Sequence, residues 1–128
     1  MVLAEGRFAL KETLRAMKIL DEERLMLLGE KNGADGYLIL QLTLDSSEQL
    51  LDVMVAALDR GDVPMLKAAI RDLCGLTTGV GAEEMASLAH ELEEHVEDVK
   101  DVAFISATLT ELRRALERLH AVTIELSC

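Results

Sequence analysis

The sequence predicts an all-α fold: an antiparallel up-and-down four-helix bundle with a short N-terminal helical extension. Three observations predict it. Apolar residues recur at three- and four-residue spacing along most of the chain. The 8 glycines and the single proline fall largely at the ends of these periodic segments rather than inside them. The intervening connections are short, and amphipathic helices joined by short connections bury their faces most simply by packing side by side with neighbours antiparallel. At 128 residues the chain suits one domain with one core. Residues 1–18 read as the extension and residues 19–128 as the bundle.

Each element follows from local chemistry. The segment from about Leu3 to Ile19 places Phe8, Leu10, Leu14 and Met17 at spacings compatible with a short helix. Its apolar face needs cover, from the bundle or from a second copy of the chain, so a homodimer is one expectation. Asp21 then caps EERLMLLGEKNG, with acids in the first turn, where the helix dipole favours them, and Gly33 near the end. GADGYLILQLTLDSSEQLLDVMVAALDRGD is ambiguous at its start, because Leu38, Leu40, Leu42 and Leu44 alternate as a strand would. Leu51, Met54, Val55 and Leu58 recur at helical spacing, and leucine is a good helix former, so the stretch is read as one long helix.

Asp62, Val63 and Pro64 form a helix start, since proline is tolerated where its missing N–H is not needed. Leu66, Ala69, Ile70 and Leu73 make a buried stripe that ends at Gly79 and Gly81. The next helix begins near Ala82 with Glu83 and Glu84 and buries Met85, Leu88, Ala89, Leu92, Val96 and Val99. The last buries Val102, Ile105, Leu109, Leu112, Leu116 and Leu119.

Composition excludes several function classes. The net charge of −11 repels nucleic-acid phosphates and anionic lipid surfaces. Aromatics are 2% of residues, namely Phe8, Tyr37 and Phe104, too few to stack on bases. No apolar run approaches the roughly 20 residues that span a bilayer, and the start of the chain lacks the pattern of a signal peptide. The two cysteines, Cys74 and Cys128, form no CxxC and no disulfide framework. The expectation is a cytoplasmic protein that binds neither nucleic acid nor membrane.

The stretch AAIRDLCGLTTGVGA, residues 68–82, carries the functional signal. With Leu66, Ile70 and Leu73 turned inward, the opposite side of the helix is expected to carry Lys67, Ala68, Arg71, Cys74, Gly75 and Thr78. Apart from the two cations these are small residues. A glycine inside a helix costs about 1 kcal/mol relative to alanine. A face swept nearly flat around one long polar side chain is what a docking surface for another protein needs.

These residues resemble the signature of histidine phosphotransfer (HPt) domains, roughly AHxLKGxxxxxGA. In that pattern a phospho-accepting histidine precedes a lysine and a glycine on one helix of a four-helix bundle. Leu73, Gly75, Gly81 and Ala82 stand at matching positions. ILDEERLMLL is similar to the usual family opening, DSSEQLLDVMVAALDRGD to the helix before the active one, and LAHELEE to the helix after it. The resemblance spans roughly Ile19 to the C-terminus.

At the histidine position this chain has Arg71, and at the lysine position Cys74. An imidazole nitrogen is nucleophilic near neutral pH, whereas a guanidinium stays protonated and offers no lone pair. The resemblance implies docking onto response-regulator receiver domains, whose acidic pocket holds an aspartate and a divalent metal, or onto a sensor histidine kinase. Arg71 in that pocket would pair with carboxylates without reacting. The expectation is a degenerate family member, a pseudo-HPt adaptor that inhibits or scaffolds a phosphorelay and is not itself an enzyme.

Two alternatives stay open. His90, in AHELEE, is a candidate relocated phosphosite, although Glu91, Glu93 and Glu94 would repel an incoming phosphoryl group. Cys74 is a candidate redox-responsive thiol, with Arg71 one turn away to favour the thiolate. His95 and His120 are weaker phosphosite candidates. No metal and no cofactor is expected. Glu117 and His120 form a single ExxH, where a di-iron bundle needs two, and the five-residue separation of His90 and His95 takes them off a common face. No Ser-His-Asp set and no GxxxxGK loop is present.

Overall fold

The structure, a computed structural model, describes residues 19–33, 35–96 and 101–126. The expected helix from about Leu3 to Ile19 falls almost wholly outside these residues, as do Val99 and Cys128.

Five helices make up the described chain: α1 (Glu22–Asn32), α2 (Gly36–Arg60), α3 (Val63–Val80), α4 (Glu83–His95) and α5 (Val102–Leu126). Helices α2 to α5 form the antiparallel bundle. In it α3 packs between α2 and α4, α5 closes the ring against α2 and α4, and α1 lies across α2 and α3. Aspartates start four of the helices: Asp21, Asp35, Asp62 and Asp101 accept hydrogen bonds from the backbone N–H of Arg24 (3.2 Å), Tyr37 (3.0 Å), Met65 (3.1 Å) and Phe104 (3.1 Å). Each thereby satisfies an N–H that has no partner within the helix.

The ambiguous leucines resolve as helix. Leu40 and Leu44 continue into Ser47, Leu51 and Met54 on the core side, whereas Leu38 and Leu42 lie exposed on the other. Alternation over four leucines is also what a helix shows when i and i+4 pairs fall on opposite sides. The core is aliphatic, with Leu40, Leu51, Met54, Leu66, Ile70, Leu73, Met85, Leu92, Ile105, Leu112 and Leu119 fully enclosed. The buried threonines 43, 77, 108 and 123 donate to carbonyls one turn back on their own helices, so they enter the core satisfied.

Five positions of the expected apolar stripes differ. Val55 and Val102 are exposed, the latter because it opens α5 before the helix reaches its neighbours, and Leu58, Leu88 and Leu116 are only half-buried. Helix α4 ends at His95 rather than continuing towards Val99.

Between α3 and α4 the chain turns through Gly81, which has φ 81° and donates its N–H back to Thr77 and Thr78. A side chain here would be strained by the left-handed backbone, and its Cβ would meet the Asp21 carbonyl oxygen at 3.0 Å. That same turn accepts a hydrogen bond, from the Asp21 N–H to the Gly81 carbonyl at 2.7 Å. The start of α1 is thus pinned to the end of α3.

Candidate functional site

Helix α3 carries the predicted site, and its two packing partners decide which side stays open. Because it lies against both α2 and α4, its buried stripe takes in Leu66, Ala69, Ile70, Leu73, Cys74, Thr77 and Val80. What remains is a ridge of Ala68, Arg71, Asp72, Gly75 and Thr78, all exposed, with Lys67 half-buried at its edge.

Arg71 makes no ion pair among the described residues. With Lys67, Ile70, Glu93 and Val96 it lines a shallow cleft of about 160 Å³ between α3 and α4. It therefore presents its guanidinium to solvent on a strongly acidic molecule. A methyl group placed on Gly75 would touch nothing within 4 Å, so no neighbour in the fold requires glycine there. The small residue keeps the ridge low next to Arg71.

Cys74 departs from its expected place. It is buried at 5% exposure in the core and does not belong to the open ridge. The stripe is wider than leucine spacing alone indicates, because α4 covers the side of α3 that a two-helix contact would leave open. Burial, and secondarily the Glu93 carboxylate, push the Cys74 thiol up to about 11. That is the reverse of the thiolate-favouring influence expected from Arg71, and the redox-responsive reading of Cys74 falls with it.

His90 sits on α4 facing α3. Its Nε2 lies 3.4 Å from the Thr78 hydroxyl and its Nδ1 3.8 Å from Glu93 Oε1. The acid that the sequence puts beside it is therefore in contact, and His90 borders the ridge of α3. One donor atom each from Cys74, His90 and Glu93 lies within 4.8 Å of the others, a grouping absent from the sequence expectations. His90 and Glu93 are visible as an i,i+3 pair, but nothing local reveals that Cys74 of α3 faces them. His95 instead holds its Nδ1 2.9 Å from the Glu91 carbonyl oxygen and its ring 5.3 Å from that of Phe104. His120 and Glu117 line a cleft between α2 and α5, remote in sequence from the ridge, with Gln41, Leu44, Asp45, Glu48 and Leu116.

No described helix is long and apolar enough to cross a membrane. No curated protein matches the chain by sequence. Among solved structures, the histidine-containing phosphotransfer protein HptB from Pseudomonas aeruginosa PAO1 is similar at a TM-score of 0.75 and 23% identity, over 84% of this chain and 93% of that one. The HPT domain of a sensor hybrid histidine kinase from Shewanella gives 0.66 and 18%, over 84% and 92%. Maize ZmHP2, a histidine-containing phosphotransfer protein, gives 0.69 and 21%, over 94% and 98%. At these identities the likeness establishes the fold. The family model described as the Hpt domain matches residues 38–122, from the first turn of α2 almost to the end of α5. The chain belongs to the Hpt domain family, the helical phosphotransfer modules that work with histidine kinases and response regulators in two-component phosphorelays.

Proposed function

We propose that this chain is a pseudo-HPt adaptor: it binds a receiver or histidine-kinase domain through α3 and takes up no phosphoryl group at the usual position. One observation carries the reading. Arg71 is exposed and without an ion pair among the described residues, and by the resemblance of AAIRDLCGLTTGVGA to the family signature it takes the position of the nucleophilic histidine. A guanidinium has five N–H donors in a rigid fork and no acceptor, so it pairs with carboxylates and cannot attack phosphorus. In a receiver's acidic pocket it competes for the carboxylates that phosphotransfer requires, and the adaptor inhibits or scaffolds the relay without being an enzyme. The surrounding ridge of Ala68, Gly75 and Thr78 lets the partner approach the helix backbone, with Lys67 adding a second cation at its edge. The adaptor works in the cytoplasm, residues 19–128 form the docking bundle, and residues 1–18 are an extension available for self-association.

The test uses a purified receiver domain carrying radiolabelled phosphate. The expected result is a complex that Arg71→Glu weakens by at least about tenfold, equivalent to about 1.4 kcal/mol, with no label moving to this chain. Acid-labile, base-stable label on the chain overturns the non-accepting reading. If His90→Gln then removes that label, the phosphosite is His90.

A further inference from the structure

We propose that Cys74, His90 and Glu93 form a zinc-binding site that joins α3 to α4 beside the docking ridge. The three offer a thiolate, an imidazole and a carboxylate from two adjacent helices, with donor atoms within 4.8 Å of one another. Tetrahedral zinc, with bonds of about 2.0–2.3 Å, sets its ligands roughly 3.3–3.7 Å apart. Closing the present spacing takes a movement of about 1 Å, within reach of side-chain rotation alone. The two residues that must move are free to do so, with side chains 52% and 43% exposed for His90 and Glu93, whereas the fixed partner, Cys74, is buried.

A second observation concerns orientation. Metal-bound histidines use one ring nitrogen for the ion and donate the other N–H to an outer partner. The geometry allows His90 this division: Nδ1 lies 3.8 Å from Glu93 Oε1, and Nε2 lies 3.4 Å from the Thr78 hydroxyl, one turn beyond Cys74 on α3. With its proton on Nε2, the ring donates to Thr78 and keeps the Nδ1 lone pair for the ion.

The donor set selects the metal. A thiolate with an imidazole disfavours the hard cations magnesium and calcium and suits zinc. On binding, the Cys74 S–H bond is replaced by S–Zn and the proton leaves to solvent. The thiolate and the Glu93 carboxylate together balance the two positive charges of the ion. Three protein ligands leave the fourth position to water, on the exposed His90 and Glu93 side of the site. The local charge rises by one unit on loading, one turn along α3 from Arg71.

The site does not rest on the docking reading of Arg71, and its test needs no receiver. The chelator-stripped 128-residue chain with Cys128→Ser, which leaves Cys74 as its single thiol, is titrated with zinc chloride and separately with cobalt(II). One equivalent of metal, a thiolate-to-cobalt charge-transfer band in the near ultraviolet and a thermal midpoint that rises with zinc are expected. His90→Ala, at an exposed position that leaves the core intact, is expected to weaken zinc by more than the about 10–100-fold typical of losing an outer-shell partner. Cys74→Ser is expected to remove the charge-transfer band. Absence of that band, or zinc affinity unchanged in His90→Ala, overturns the proposal.

Discussion

At the residue scale, Gly75 separates what the fold needs from what the proposed docking face needs. Since an added methyl meets no atom of the chain within 4 Å, Gly75→Ala is expected to stabilise the protein by about 1 kcal/mol, seen as a thermal midpoint higher by about 3–5 °C. The same substitution is expected to weaken receiver binding, because the methyl stands on the ridge beside Arg71. A variant that is stabilised and binds as well as the wild type would show that the partner does not approach the helix there. Cys74 gives a second residue-level outcome. Its thiol is raised from 9.0 to about 11, so near neutral pH the thiolate population is lower by about a hundredfold. Alkylation by iodoacetamide in a Cys128→Ser background is expected to be at least that much slower for the folded chain than for the urea-unfolded one. Because the protonated thiol is the form the fold favours, this contribution to stability is complete below about pH 9 and falls as pH rises towards 11. The exposure of Arg71 and Gly75 was legible in the sequence because they lie four residues apart on one helix, opposite the leucine stripe. The burial of Cys74 and its meeting with His90 and Glu93 were not, since the rotation of α4 against α3 leaves no mark in local spacing.

Among the elements, the ends of helices were the most readable feature. Asp21 and Asp62 stand out as caps because a short acceptor side chain before an apolar-periodic run has few other uses. Asp62→Ala is expected to lower stability by about 1 kcal/mol in urea unfolding through loss of the bond to the Met65 N–H. Gly81→Ala is expected to cost more than that, since it meets a left-handed backbone and the Asp21 carbonyl at once. Equal losses for the two variants would mean that the α3 to α4 turn relaxes freely. The middle of α2 was harder to read, because four alternating leucines satisfy a strand and a helix alike until the pattern is followed to Leu51 and Met54. Val102 was misjudged for a simpler reason: periodicity assigns a face but does not show where along a helix the neighbouring packing begins.

For the whole molecule, the net charge of −11 sets the response to salt. Cross-helix ion pairs oppose it: Arg118 grips Glu84 in a bidentate pair between α5 and α4, and Arg113 reaches Asp52 of α2 at 2.9 Å. Glu84 is the first cause of the raised Arg118 pKa. The Arg113 pair is exposed, and such pairs contribute about 0–1 kcal/mol and are screened, whereas the partly buried Arg118–Glu84 pair is screened little, so the response to added salt is expected to be dominated by repulsion among the excess acids. Thermal midpoints are therefore expected to rise between about 20 and 200 mM sodium chloride, where the screening length shortens from roughly 20 to 7 Å. A fall over the same range would assign the larger share to the Arg118 and Arg113 pairs. The hydrogen bond from Asp21 to Gly81 has a mechanical meaning at this scale. It fastens the chain just after Leu20 to the C-terminal end of α3, so a load pulling on the polypeptide ahead of Asp21 reaches the end of α3 directly through this bond.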